Sequence, residues 1–516
     1  MAKAQATGQR ELADSEYKRK PHVYSRGNLD QQGEPDERTT HEQGLPRCRA
    51  AGHHGMRVTK RVAAVAALAL LPLALPTASV TTAQAVAPAP NIVLITTDDM
   101  TDYDLSWMPK TKRLLRDQGT QISDFISPHP LCCPARAEIV SGQYAHNNGV
   151  RHNRGTWGGY QALRNKDNNI GKWLDDAGYD TAMIGKFING YQPRFGIPAG
   201  WDFWNPYIER VYSPYNFTAH NNGNRRLVEG IHTNDYVGNS TAQFVRDASG
   251  GSPFFVWASF VAPHGMLDPR NPWAPPIPAP RHDGLLTNVR APSLAKPSFN
   301  EERIGDKPNY FERGKVNPAK VQRLFTERIQ SLLSVDDAVG RLVRTLRQTG
   351  ELDNTVILFT SDNGYHLGEH RFAGKNTPYE ESLQVPLVAR GPGIPVGRTV
   401  RQTATLVDLA ATFLDLGNAT AGRTQDGRSL MPILNGASGY GPHLIQAGRG
   451  NRPWLFRGVR TSRWTYVRHY TGEVELYDRL NDPYQNSNVA GRRPATQQWL
   501  HNAWLALEDC QGTECY

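Results

Sequence analysis

At 516 residues, with 39% hydrophobic and 21% charged residues, the chain is too long for one typical small domain and is composed like an ordinary soluble globular protein. Its net charge of +9 is weighted toward the front: residues 1–85 hold 12 Lys/Arg against 8 Asp/Glu, which leaves +5 on the remainder. That remainder has no Lys/Arg block of the kind that grips nucleic acid, so no nucleic-acid partner is expected, while a mild basic excess is compatible with anionic glycans.

Residues 1–55 are polar, lack aliphatic periodicity and read as disordered or as a misassigned extension. Met56-Arg57-Val58-Thr59-Lys60-Arg61 then makes a basic head, Val62 to Leu75 an Ala/Leu/Val run, and Ala83-Gln84-Ala85 a small-residue cleavage site. Residues 56–85 therefore read as a secretory signal peptide. The apolar run is shorter than the about 20 residues that span a bilayer, so no membrane span is expected after cleavage. The expectation is translation from Met56, a mature start near Val86 and an extracellular location.

Asn91-Ile92-Val93-Leu94-Ile95 is a short continuous apolar run, as in a strand buried on both faces, and it ends in Thr96-Thr97-Asp98-Asp99. Thr181 to Ile184 and Phe254 to Phe260 have the same character and end near Lys186 and His264. A fourth run, Thr355 to Thr360, ends in Ser361-Asp362-Asn363-Gly364. Helical patterns alternate with these at Thr111 to Gln118, Ile170 to Ala177 and Val321 to Gln348; Gly350 stops the last. This alternation predicts an α/β fold, a large, mainly parallel sheet sandwiched by helices, over residues 86–438. Ligands bind beyond the carboxyl ends of such strands, so the polar clusters at four strand ends are expected to converge. Trp201, Trp204 and Tyr207 offer either a sugar-stacking surface or core, and the Pro-rich stretch Asn271 to Pro297 an irregular excursion near the substrate rim. From about Tyr440 the pattern shifts to short strands, which predicts a C-terminal subdomain over residues 439–516. Cys510 and Cys515 are close enough for a small disulfide loop in an oxidising exterior.

One stretch organises the rest. In Leu131-Cys132-Cys133-Pro134-Ala135-Arg136, the residues Cys132, Pro134 and Arg136 form a C-x-P-x-R pentapeptide, followed by a helix-like run to Ser141-Gly142. Together with the strand-end carboxylates this resembles the signature of the type I sulfatases, formylglycine-dependent members of the alkaline-phosphatase-like superfamily. The resemblance implies that a formylglycine-generating enzyme converts Cys132 to formylglycine, whose hydrate attacks sulfur through one hydroxyl and expels sulfate through the other. It implies one Ca²⁺ held by Asp98, Asp99, Asp362, Asn363 and an oxygen of modified Cys132, hard ligands that suit Ca²⁺ or Mg²⁺ rather than zinc. Arg136 would be the fixed cation beside the nucleophile, Lys186 would contact formylglycine and sulfate, and His264 with Lys375 would hold the sulfate, one of the two protonating the leaving oxygen. It also implies that the C-terminal subdomain is a small α+β unit, an antiparallel sheet packed by a helix.

Many sulfatases have a His two residues after the lysine that matches Lys186. Ile188 stands there, followed by Asn189, which leaves His366, His146 and His152 as candidate bases for sulfate release. Within the family the likeness is to glucosamine-6-sulfatases and their endosulfatase relatives, through Tyr144-Ala145-His146-Asn147-Asn148, Ser361-Asp362-Asn363-Gly364-Tyr365-His366 and Arg390-Gly391-Pro392-Gly393. The implied protein is a secreted sulfuric ester hydrolase acting on a sulfated sugar such as N-acetylglucosamine-6-sulfate, or on an aryl sulfate. The alternatives are a phosphate- or phosphonate-ester hydrolase or general arylsulfatase of the same superfamily, and a non-catalytic glycan-binding protein should Cys132 stay unmodified.

Overall fold

Ten strands hydrogen-bond into one sheet because several of them leave no polar face for water. The computed structural model describes residues 89–266, 273–311, 314–450 and 452–516. Its strands are Asn91–Asp98 (β1), Thr120–Ile122 (β2), Asp180–Gly185 (β3), Phe203–Glu209 (β4), Asn216–Asn221 (β5), Asn224–Glu229 (β6), Phe254–Pro263 (β7), Thr355–Ser361 (β8), Leu387–Arg390 (β9) and Arg398–Val400 (β10). Across the sheet they lie in the order β10-β2-β9-β8-β1-β7-β3-β4-β5-β6. The central run β8-β1-β7-β3-β4 is parallel. On one side β9 joins antiparallel, and on the other the β5/β6 hairpin does. The sheet is thus mixed but mostly parallel, as expected from strands that are buried at every position along β1, β7 and β8.

Period-2 alternation splits these strands between two cores. Ile92, Leu94, Phe255, Trp257 and Leu358 face the helices Cys132–Ser141 (α1) and Ile170–Asp176 (α2), and Val93, Ile95, Val256 and Ile357 face Thr233–Ala248 (α3) and Pro318–Gln348 (α4). Asp408–Gly417 (α5) closes the first core through Phe413. Trp201 and Trp204 lie in the first core and Tyr207 in the second, 7%, 0% and 4% exposed, so they present no face to a sugar. The aromatic cluster is core, and the sugar-stacking expectation is corrected. The segment expected as a helix from Thr111 to Gln118 is a short α-turn that passes into a π-turn over Lys112–Arg116.

Strands His443–Arg449 (β11), Arg452–Arg460 (β12), Trp464–His469 (β13) and Val474–Asp478 (β14) form an antiparallel meander. Helix Pro494–Leu507 (α6) packs on it through Leu500 and Leu507, and the disulfide Cys510–Cys515 joins the same core. Arg460, fully buried, ties the meander to the large sheet by donating to Asp124 Oδ1 at 2.5 Å and Glu380 Oε2 at 2.7 Å. The signal-peptide and extension readings of residues 1–85 fall outside the described residues. Among the described residues, no helix is long and apolar enough to cross a membrane.

Candidate active site

Four parallel strands end at one rim, and each delivers a polar residue at or just past its last ladder position. β1 ends in Asp98 and Asp99, β8 leads into Asp362 and Asn363, β3 into Lys186 and β7 into His264. The turn out of β3 depends on Gly185, which has φ 100° and whose added Cβ would lie 2.0 Å from Ser259 O.

Cys132 reaches the same rim at the N-terminus of α1, where aligned peptide dipoles favour negative charge. Arg136 follows one turn later on the same helix face. Pro134 is tolerated because a first-turn residue has no intrahelical N–H partner to lose. The helix stops at Gly142, whose φ of 64° is left-handed, whose N–H bonds Glu138 O at 2.8 Å, and whose Cβ would overlap Gln425. All ten helix residues are buried, so the segment has no amphipathic stripe.

Ligand atoms of Asp98, Asp99, Cys132 and His264 lie within 4.8 Å of one another. The Cys132 thiol contacts Asp98 Oδ1 at 3.4 Å and accepts from Lys375 Nζ at 2.8 Å. Lys375 also pairs with Asp99, and Lys186 with Asp98. Arg136 donates to Asp362 Oδ2 at 2.8 Å, Lys186 O at 2.6 Å and Ser259 Oγ at 2.5 Å. Asn363 Nδ2 donates to Asp99 Oδ1 at 2.7 Å, while Asn363 Oδ1 is buried without a partner. His264 Nε2 stands 3.6 Å from Asp99 Oδ2, and its Nδ1–H donates to Gly265 O at 2.6 Å. The structure thus brings together Asp98, Asp99, Cys132, Arg136, Lys186, His264, Asp362, Asn363 and Lys375.

Three buried carboxylates face three cations. Burial pushes Asp98 upward, but Lys186 above all, with His264, Lys375 and Arg136, outweighs it and holds this carboxyl well below the usual range. Asp362 is raised, by burial first and by Asp98 second. Against the downward pull of burial, Asp98 holds Lys186 and Asp99 holds Lys375 well above the ordinary lysine range. The Cys132 thiol is pushed up to about 12 by burial and then by Asp98, so at neutral pH it is a thiol and not a thiolate. Burial lowers His264 to about 4 despite Asp99 and Asp98, which leaves a neutral imidazole.

His366 does not touch Cys132: its Nε2 meets Thr377 Oγ1 at 2.7 Å, and its ring packs against Phe372, Tyr379 and His370. It supports the loop that carries Lys375. His146 is engaged by Cys510 O at 2.8 Å, and His152 by Arg154 O at 3.1 Å. None of these three histidines joins the cluster around residue 132.

Three neighbours escaped the sequence reading. Tyr212, on the β4–β5 connection, packs against His264 with ring centroids 4.4 Å apart and planes tilted by 36°, lies 4.9 Å from Lys186 Nζ, and accepts from Asn189 Nδ2 at 3.3 Å. Ser259 bridges Arg136 and Lys186 O. Arg328, fully buried on α4, donates to Asp99 O and Asp104 and reaches Pro263 O at 3.4 Å, which fixes the ends of β1 and β7. Only Arg328 left a signal, as a charge in register with the apolar stripe Leu324, Leu332 and Val335.

Hard oxygens converge here with an orphaned buried carbonyl, Asn363 Oδ1, a donor set that fits a hard dication. Two ammonium groups, a guanidinium and an imidazole around residue 132 can bind an oxyanion and exchange a proton with a leaving oxygen.

The sulfatase family model matches residues 90–419, and the model for the N-sulphoglucosamine sulphohydrolase C-terminal region matches residues 368–511. The chain is 35% identical to N-acetylglucosamine-6-sulfatase of Capra hircus over 486 residues, covering 83% of this chain and 84% of that protein. It is 36% identical to a Drosophila melanogaster extracellular sulfatase SULF-1 homolog over 67% of this chain but only 31% of that protein's length. Among solved structures, one in complex with its substrate D-glucosamine-2-N,6-O-disulfate superposes with a TM-score of 0.68 at 24% identity, covering 81% of this chain and 97% of the other. Phosphonate monoester hydrolase of Agrobacterium radiobacter superposes with a TM-score of 0.61 at 20% identity, covering 82% and 96%.

Proposed function

The chain belongs to the sulfatase family, and we propose that it is a secreted sulfuric ester hydrolase that removes sulfate from a sulfated sugar of the N-acetylglucosamine-6-sulfate type. The carrying observation is the company kept by Cys132. A thiol with its pKa near 12 is a poor nucleophile, yet it is seated among three carboxylates, two ammonium groups and a buried guanidinium. That setting suits an oxygen at position 132, as conversion to formylglycine by a maturation enzyme provides. Formylglycine would supply the attacking hydroxyl, and a Ca²⁺ held by Asp98, Asp99, Asp362, Asn363 and an oxygen of modified Cys132 would supply charge at the ester oxygens.

The chain's own residues divide the remaining work. Lys186 and Lys375 neutralise the ester's oxygens. Lys375, held as an ammonium, donates the proton to the leaving oxygen. His264, whose Nδ1–H is committed to Gly265 O, presents Nε2 as an acceptor. Arg136 holds Asp362 and the Lys186 carbonyl in place. In this reading residues 56–85 direct export, residues 86–438 carry the chemistry and residues 439–516 form the appended unit. Similarity to proteins named extracellular sulfatases supports the location.

The fold likeness to a phosphonate monoester hydrolase keeps phosphate or phosphonate esters as the second reading. The test is protein co-produced with a formylglycine-generating enzyme, assayed on 4-nitrophenyl sulfate, 4-nitrophenyl phosphate and N-acetylglucosamine-6-sulfate. Mass spectrometry of the peptide bearing residue 132 accompanies it. Conversion at residue 132, preference for sulfate and loss of turnover in Cys132→Ala are expected. Preference for phosphate, or full activity in Cys132→Ala, overturns the reading.

A further inference from the structure

One wall of the rim is basic and backed by aromatic rings. The backbone N–H of Cys133 donates to Asn153 Oδ1 at 2.9 Å, which fastens the loop of residues 151–158 next to residue 132. That loop abuts the β11–β12 turn: a Cβ on Gly155 would lie 2.3 Å from Gly450 O, and one on Gly448 would lie 2.3 Å from Arg151 O. Asn376, which follows Lys375, reaches Gly448 O at 3.3 Å. The segments that carry Arg151, Arg154 and Arg449 therefore meet within a few residues of Cys132 and Lys375.

The Arg151 guanidinium lies between the rings of Trp157 and Trp454, 4.6 and 4.4 Å from their centroids. Arg154 and Arg449 are exposed, and Arg449 is steadied by Tyr470 OH at 3.0 Å. None of the three forms an ion pair with a described carboxylate. Arg225, Arg281 and Arg323, also exposed, pair with Glu209, Asp235 and Glu327. Burial lowers His152, its hydrogen bond to Arg154 O opposes this, and the charges of Arg154 and Arg449 lower it further. Guanidinium groups held against rings are pre-organised forks for carboxylate or sulfate, and an anion seated there would find them ready.

We propose that this wall is a subsite for a second anionic group of the substrate, so that the enzyme acts on saccharides carrying a sulfate or carboxylate besides the scissile sulfate. The inference rests on the sulfate-ester reading and adds a specificity to it.

The test compares kcat/KM for N-acetylglucosamine-6-sulfate, for glucosamine-2-N,6-O-disulfate and for a uronic-acid-containing disaccharide with one 6-sulfate. It uses wild type, R154A/R449A, R154K/R449K and R246A, the last an exposed arginine on α3. The preference for a doubly anionic over the singly anionic sugar is expected to fall about tenfold or more in R154A/R449A, about the discrimination of one charged hydrogen bond. Lysine should restore part of it, and R246A should leave it unchanged. Whichever doubly anionic substrate loses more identifies the group bound as sulfate or carboxylate. An unchanged preference in R154A/R449A, or an equal fall in R246A, overturns the subsite. Binding of the disulfate to Cys132→Ala, read from the fluorescence of Trp157 and Trp454, separates the two inferences. Weakened binding on adding R154A/R449A upholds the subsite even if no sulfate ester is hydrolysed, and unaltered binding overturns it.

Discussion

Replacing Arg136 by methionine keeps a good helix former with an unbranched apolar stem and removes the charge together with its hydrogen-bond donors. The guanidinium is fully buried, donates to Asp362 Oδ2, Lys186 O and Ser259 Oγ, and lies 4.0 Å from Asp98 Oδ2. Lys186 O keeps the Ser259 hydroxyl at 2.6 Å, so the main loss is the partner of Asp362, left buried opposite Asp98. Stripping one member from a buried pair costs about 3–5 kcal/mol. Unfolding entropy near 2.1 cal/mol/K per residue, over roughly 430 ordered residues, is about 0.9 kcal/mol/K, so the melting temperature should fall by about 3–6 °C. Arg136→Met with Asp362→Asn no longer buries an unpaired charge and should regain about half the loss, a non-additivity that reads the coupling of the pair. Calorimetry and urea denaturation of chelator-treated protein measure both without a contribution from bound cation. A loss below about 1 kcal/mol in Arg136→Met, or a double variant no more stable than the single one, would refute the reasoning.

Calcium added to chelator-treated wild type at about 100 times its Kd should stabilise by about 2.7 kcal/mol, or about 3 °C, and Asp98→Asn should abolish the shift; an unmoved melting curve in wild type removes the cation from the site. Tyr212→Phe keeps the ring on His264 and should retain kcat. Tyr212→Ala should lower it by up to about 10²-fold through misplacement of the imidazole, and equal rates for the two would show that the stacking is immaterial. Arg460→Ala should destabilise by about 1–3 kcal/mol at pH 7, because it leaves Asp124 and Glu380 with Arg479 as their one remaining shared cation. Burial raises both carboxyls, but Arg460 first and Arg479 after it outweigh burial and depress them below their unfolded values. Their stabilisation is therefore complete above the unfolded pKa of about 4 and is lost as pH falls toward the folded values. The gap between wild type and Arg460→Ala should narrow from pH 5 to pH 3 in urea denaturation, and a constant gap contradicts the assignment.

The parts of the fold legible in the sequence were those where physics leaves a one-dimensional trace. Strands such as β1 and β8, covered on both faces, carry unbroken apolar runs, Ile92 to Ile95 and Val356 to Phe359, and the polar residues that follow lead to the rim where Asp98 and Asp362 stand. The β5/β6 hairpin left no such trace. β6 has one buried position among exposed Asn224, Arg225, Arg226 and Leu227, and it exists as a strand because β5 offers it a ladder. Tyr212 was missed with that hairpin, since a residue on an unrecognised connection belongs to no motif. Trp201 and Trp204 show the converse limit: an aromatic cluster has the same composition whether it meets a sugar or another ring, and here Trp204 meets Phe187 at 4.9 Å and Tyr191 at 5.3 Å.

That same packing explains the departure at position 188. Phe187 and Ile188 are 3% and 2% exposed and lie in the first core with Trp204 and Trp257. An imidazole at 188 would replace aliphatic contact with a buried polar ring, which costs free energy unless both nitrogens find partners. The residue after it, Asn189, turns instead to the Tyr212 hydroxyl, and Tyr212 lays its ring on His264. Under the proposed chemistry the proton taken up at sulfate release therefore passes to the rim. Lys186 stays an ammonium, so the groups beside residue 132 that could take that proton are His264 Nε2 and the Lys375 amine left once the leaving oxygen has been protonated. In this reading the side chain that a local motif would have supplied is replaced by groups from other elements, His264 past the end of β7 among them, with Tyr212 of the β4–β5 connection against its ring.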